Sequence, residues 1–391
     1  MNREEALEHA GTAWRGVKHG ANRLADATAK GARQLRDHGG PVLRRAWNGA
    51  SNLLDRDLTK GRYAGAEDEA EAQSKIAAAP EFKLPPLEMP REDLMPALEG
   101  LASVVRGQQR NIRLSLGCYL AGGHLLLDGP PGLGKTTLAR ALSGVTGRDM
   151  RRVQFTADLM PGDLLGVPIH DAALAKFVLH RGPIFSDIVL ADEINRAPPR
   201  VQSALLEAME EGHVSIDGET HPLPDEFFVV ATQNPLGQIG AFPLPESQLD
   251  RFMMRLNFTH PGRDQERTLL ESGDTRGTAE SLPNSLPGAP SRDDEVFNQI
   301  SVNDRVMHYL QDLIEASRDP ARFRAGLSVR AGLAVLKAAK VWAWMHRRTW
   351  VEPDDIQAVF GSVAEHRLVS VDGQSGNRGL ADQILATVSL I

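Results

Sequence analysis

The stretch "HLLLDGPPGLGKTTLARAL", residues 124–142, restricts this chain more than any other. Leu125 to Leu127 read as a short buried strand, and a helix is expected to begin at about Lys135. Between them, Gly129, Gly132 and Gly134 let the backbone curl so that successive N–H groups face one point; Pro130, Pro131 and Leu133 complete the turn. Gly129, Gly134, Lys135 and Thr136 match the spacing G-x-x-x-x-G-K-[ST], and Thr137 continues it into the helix. Glycines allow phosphate oxygens to approach without a Cβ clash, and the helix N-terminus adds partial positive charge. Lys135 is a mobile cation for β- and γ-phosphates, and the Thr136 hydroxyl is a hard oxygen ligand for Mg²⁺.

A phosphate site of this kind needs acids nearby, and "PIFSDIVLADEI" supplies them: a second buried strand running into Asp192 and Glu193. Adjacent acids after an apolar run could instead cap a helix, but "INRAPP" separates them from the next helical pattern. Pro198 is the better helix start. Asp192 is therefore expected to hold Mg²⁺ with its waters, and Glu193 to act as general base toward the attacking water. A third strand, "EFFVVATQN", ends in Asn234, whose amide could hold that water. Arg251, before a final strand, and Arg330, at the start of a later helix, gain importance only if the fold brings them to a γ-phosphate.

Around these motifs the chain divides into five parts. Residues 1–60 carry two amphipathic helical patterns with Lys- and Arg-rich polar positions. Their weak, Ala-rich apolar faces favour packing on protein over contact with an anionic membrane. Residues 61–96 read as an acidic, Pro-rich linker, 97–271 as an α/β nucleotide-binding core with a parallel sheet, 272–296 as a second linker, and 297–391 as a helical lid. No apolar run reaches the ~20 residues of a membrane span, and the acidic start "MNREEALEHAGTAW" does not resemble a secretory signal, so a cytoplasmic location is expected. Cys118, the single cysteine, excludes an internal disulfide and lies in an apolar helical context suited to a buried thiol. The net charge of −7 gives no support to general nucleic-acid binding.

Taken in order, "GHLLLDGPPGLGKT", "IVLADEINRAPPRVQSALLEAMEEG", "ATQNP", "FPLPESQLDRF" and "RAGLSVRAGLAVLKAAK" resemble the MoxR family of AAA+ ATPases over roughly residues 97–391. The resemblance implies an AAA+ P-loop core with a C-terminal helical lid, while residues 1–96 form an N-terminal extension outside it. It makes Lys135 and Thr136 the Walker A pair, Asp192 and Glu193 the Walker B pair, Asn234 sensor 1, and Arg330 a sensor 2 acting on the nucleotide of its own subunit. Arg251 becomes the arginine finger for a neighbouring subunit, with Arg196 and Arg255 as weaker candidates. "VVRGQQ", residues 104–109, resembles the adenine-contacting segment, and "FTADLMPGDLLGVPI" through "FVLHRGPIF" the family's extra hairpin, which in related ATPases faces the pore or the client. A homo-hexamer using ATP and Mg²⁺ to remodel a protein client follows, such clients often carrying a von Willebrand factor A domain. "GLSVR" departs from the family's "GASPR". A nucleic-acid motor, a metal-chelatase motor subunit and a non-hydrolysing switch are the competing readings.

Overall fold

The computed structural model describes residues 83–389, apart from 173–174, 235–241, 261, 264–265, 268–278, 280, 287–289 and 372–378. The helices expected within residues 1–60 lie outside the described residues, as does most of the expected linker at 61–96.

In chain order the elements are α1 (Met95–Val104), α2 (Gln109–Leu120), β1 (Leu125–Asp128), α3 (Lys135–Thr146), β2 (Met150–Gln154), α4 (Pro161–Leu165), β3 (Gly166–Asp171) and β4 (Lys176–Arg181). They continue with β5 (Ile188–Asp192), α5 (Pro199–Glu211), β6 (His213–Ile216), β7 (Glu219–Pro222), β8 (Phe228–Gln233), α6 (Glu246–Leu249) and β9 (Met254–Asn257). The C-terminal part holds α7 (Asp304–Ala316), β10 (Phe323–Ala325), α8 (Val329–Met345), α9 (Pro353–Ala364), β11 (Val369–Ser370) and α10 (Leu380–Thr387).

Five strands form one parallel sheet in the order β2-β5-β8-β1-β9. The period-2 alternation of their side chains sorts the interior into two cores. Leu125, Leu127, Ile188, Leu190, Phe228 and Val230 face one core, which takes in α1, α2 and α3. Leu126, Val189, Ala191, Val229 and Ala231 face the other, closed by Val201, Leu205 and Leu206 of α5. Because both faces are covered, β1, β5 and β8 are near-continuous apolar runs. β2, at the sheet edge, buries only Val153 and can carry two arginines. Buried residues of α8 and α9 belong to the first core, so the helical lid and the nucleotide core share one interior. Arg367 of the lid fixes the loop before β9, donating to the Asp250 carboxylate and to the carbonyls of Asp250 and Phe252.

Some local expectations shift. Pro183–Phe185 forms a separate 3-10 turn ahead of β5. Helix α5 starts at Pro199, with Pro198 as its N-cap, one residue later than the sequence suggests, because two successive prolines both fit that entry. The C-terminal part carries, besides its helices, the antiparallel pair β10–β11. Part of the expected proline-rich linker is bound to the lid: the Arg91 N–H donates to the Met345 carbonyl at 2.8 Å, and its guanidinium lies 4.4 Å from the Trp344 ring centroid. Cys118 is fully buried in α2, and burial pushes its thiol up to about 12, so it stays protonated and inert at neutral pH. Among the described residues no helix is long and apolar enough to cross a membrane.

Candidate active site

The register of the sheet places Asp128 opposite Gln233 and Ala191 opposite Ala231, so β1, β5 and β8 end at nearly the same level. Loops leaving the carboxyl ends of adjacent parallel strands enclose a crevice. Here it is a cavity of about 760 Å³, lined by residues 131–137 of the glycine loop, Asp192, Glu193, Thr232 and Asn234. Val104, Val105, Arg106 and Gln108, from the segment expected to meet a base, line it as well.

The glycine loop is steric necessity. Gly129 has φ 144°, and a Cβ there would lie 2.5 Å from the Phe258 carbonyl oxygen. Gly134 has φ 87° as the N-cap of α3, so the helix begins at Lys135 as the motif requires. The Lys135 ammonium folds back onto the Gly129 carbonyl, the Gln233 carbonyl (3.1 Å) and Asn234 Oδ1 (3.1 Å). Burial pulls it below its usual range, opposed by the carboxylates of Asp128, Asp192 and Glu193. These carbonyls are acceptors a phosphate can replace.

Glu193 sits at φ 57°, ψ 49°, a left-handed conformation uncommon outside glycine. Thr232 holds it there: its hydroxyl oxygen accepts the Glu193 N–H at 2.9 Å and donates to Asp192 Oδ1 at 2.6 Å. Asn234 Nδ2 donates to Glu193 Oε1 at 2.9 Å, while Arg196 Nη1 (2.9 Å) and Gln154 Nε2 (3.1 Å) donate to Oε2. Asp192 Oδ2 accepts from Arg152 Nη2 at 2.6 Å and Nε at 3.1 Å. Lys135, Asp192, Glu193 and Asn234, inferred separately from the sequence, thus meet in one hydrogen-bonded set. Thr232, Arg152 and Gln154 were missed, although the parallel pairing of β5 with its neighbours would have put Thr232 and Gln154 beside the acids.

The arginines are distributed differently. Arg251 and Arg330 do not line the cavity; both hold Glu210 at the C-terminal end of α5, at 2.9 and 2.8 Å. Among the described residues, Arg330 meets Glu210 and is not part of the cavity lining to which the sensor 2 reading assigns it. The reason is packing: α8 is committed to the core shared with α2, and its exposed first turn meets α5 instead. Arg255 is part-buried and pairs with Asp128 at the end of β1. Arg196 is half exposed and held by Glu193.

A strand–glycine loop–helix unit, with paired acids and an amide at the neighbouring strand tips, defines a P-loop nucleoside triphosphatase. Comparison with known proteins narrows the class. Residues 124–254 match the family model described as the ATPase family associated with various cellular activities (AAA), and residues 315–388 match the AAA lid domain. The chain is 41% identical over 288 residues to the uncharacterised protein YeaC of Bacillus subtilis, spanning 71% of this chain and 89% of that one. It is 37% identical over 276 residues to the chaperone MoxR1 of Mycobacterium tuberculosis, spanning 68% and 73%. The crystal structure of a protein from Cytophaga hutchinsonii, described as a putative ATPase, superposes with a TM-score of 0.67 at 32% identity, covering 84% of this chain and all of that one. The chain belongs to the MoxR family of AAA+ ATPases.

Proposed function

We propose that this ATPase works in the cytoplasm as a Mg²⁺-dependent, ring-forming chaperone that couples ATP hydrolysis to the remodelling of a protein client. The observation that carries the chemistry is the set Lys135–Asn234–Glu193 at the cavity, joined by two hydrogen bonds of 3.1 and 2.9 Å. The loop from Gly129 to Thr137 wraps the phosphates with backbone N–H groups, and Lys135 exchanges its carbonyl partners for β- and γ-phosphate oxygens. Glu193 takes the proton of the attacking water, and Asn234 fixes the carboxylate and the water in line. A second copy supplies Arg251, which has no role in the cavity of its own chain, to the charge that develops on the transferred phosphoryl group.

The cavity suits Mg²⁺. This ion prefers a few protein oxygens together with phosphates and water, and the Thr136 hydroxyl and Asp192 carboxylate are the oxygens on offer. Among the described residues no group of three or more His, Cys, Asp or Glu forms a metal cage by itself, which fits an ion carried in by the triphosphate. When bound, Mg²⁺ supplies neutralisation of the β- and γ-phosphate oxygens.

Two observations support a protein client. A relative bears the name chaperone, and the β3–β4 hairpin carries exposed apolar side chains on both faces, Val167 and Ile169 (46 and 48%) on one and Phe177 (70%), beside His170, on the other. A client with a von Willebrand factor A domain is the kind the family resemblance supports. In the test, full-length Glu193→Gln protein is loaded with ATP and sized by light scattering. The expected mass is that of six chains, and the loaded particle retains a purified von Willebrand factor A domain protein that Phe177→Asp releases. A monomeric mass with ATP, or equal retention by Phe177→Asp, contradicts the proposal.

A further inference from the structure

Arg152 lies on edge strand β2 and lines the nucleotide cavity. Its Nη2 and Nε both converge on a single oxygen, Asp192 Oδ2, at 2.6 and 3.1 Å. A side-by-side pairing would engage both carboxylate oxygens, but Thr232 already holds Oδ1 at 2.6 Å. Oδ2 is therefore the oxygen left for a cation, and Arg152 is on it. The guanidinium is also 44% exposed, against 11% for the Asp192 side chain, and its Nη2 bond to Gln154 Oε1 at 2.9 Å is an exposed one, so it can turn toward solvent while the acid stays. Without it, Asp192 and Glu193 would turn two adjacent negative charges toward an incoming phosphate chain.

The geometry points to Arg152 as a stand-in cation: it neutralises Asp192 while no metal is bound and must be displaced when Mg²⁺ takes Oδ2. This rests on the reading of Asp192 as the metal-site acid. Two consequences have opposite signs. Arg152 makes nucleotide binding without metal easier, because it cancels the repulsion at Asp192. It makes metal binding harder, because the ion competes with a guanidinium already in place. A merely structural ion pair on an edge strand has no such opposition; its loss would weaken both kinds of binding together or neither.

The experiment is a fluorescence titration of the full chain with N-methylanthraniloyl-ADP, in EDTA and then with increasing Mg²⁺. Arg152→Gln should weaken binding in EDTA by about three- to tenfold and lower the half-saturating Mg²⁺ by a similar factor. Arg152→Lys, which keeps the charge, should stay within about twofold of the parent on both readouts. Unchanged values for Arg152→Gln, or both moving toward weaker binding, overturn the proposal. Asp192→Asn separates it from the reading beneath it. Loss of the Mg²⁺ response in that variant supports Asp192 as the metal-site acid, whereas an unaltered response removes that reading and the proposal together.

Discussion

Glu193→Gln is expected to leave ATP binding within about threefold and to lower steady-state phosphate release by about a hundredfold or more, the range of general-base losses. The substitution changes little but charge and basicity. The glutamine side chain has the same volume, and its carbonyl oxygen can still accept from Asn234 Nδ2 as Glu193 Oε1 does at 2.9 Å. Its amide nitrogen, however, faces Arg196 and Gln154, which donate to Oε2 in the parent, so the side chain becomes looser as well as non-basic. Nucleotide binding is spared because the glycine loop and Lys135 are untouched. Parallel measurement of binding and phosphate release separates the two effects. Turnover at the parent rate in this variant would remove Glu193 from the role of base.

Arg251→Ala should lower turnover by about a thousandfold with binding retained, as expected when an arginine acting on the γ-phosphate is lost. In the single chain Arg251 holds Glu210 and the Leu206 carbonyl, away from the cavity. A loss of activity could therefore not come from its own site. The decisive measurement mixes Arg251→Ala with Glu193→Gln subunits. Each is inactive alone, yet a junction that joins an intact Glu193 to a neighbour's intact Arg251 is complete, and phosphate release should partly return. No return at any mixing ratio would contradict action between subunits. Arg330, held by the same Glu210, faces the same surface beside exposed Val329 and Leu333.

The features legible in the sequence are those whose physics is local. The glycine spacing from 129 to 134 reports backbone conformations that few residues other than glycine adopt, and the structure has them at φ 144°, 83° and 87°. The apolar runs before Asp192 and Asn234 report strands buried on both faces, which the structure arranges as neighbours. What stayed hidden depends on pairing across the sheet or between its layers. Thr232 looks like any strand threonine until the β5–β8 register places it against both acids. Arg152 looks like a solvated edge residue until Asp192 is found beside it. Arg255 reads as one more arginine near a strand start until its part-buried pairing with Asp128 is seen. The parting of Arg330 from its own cavity follows from where α8 packs, and no short stretch of sequence encodes that.

Every proposed role depends on ATP being bound and hydrolysed in the cavity at the tips of β1, β5 and β8, through the glycine loop and Lys135. The most direct measurement follows ATP binding and phosphate release by the full chain and by Lys135→Ala under identical conditions. The parent should bind ATP saturably and release phosphate, while Lys135→Ala should do neither at the same nucleotide concentration. Binding and turnover by Lys135→Ala equal to those of the parent would remove the glycine loop and its lysine from the role of ATP site.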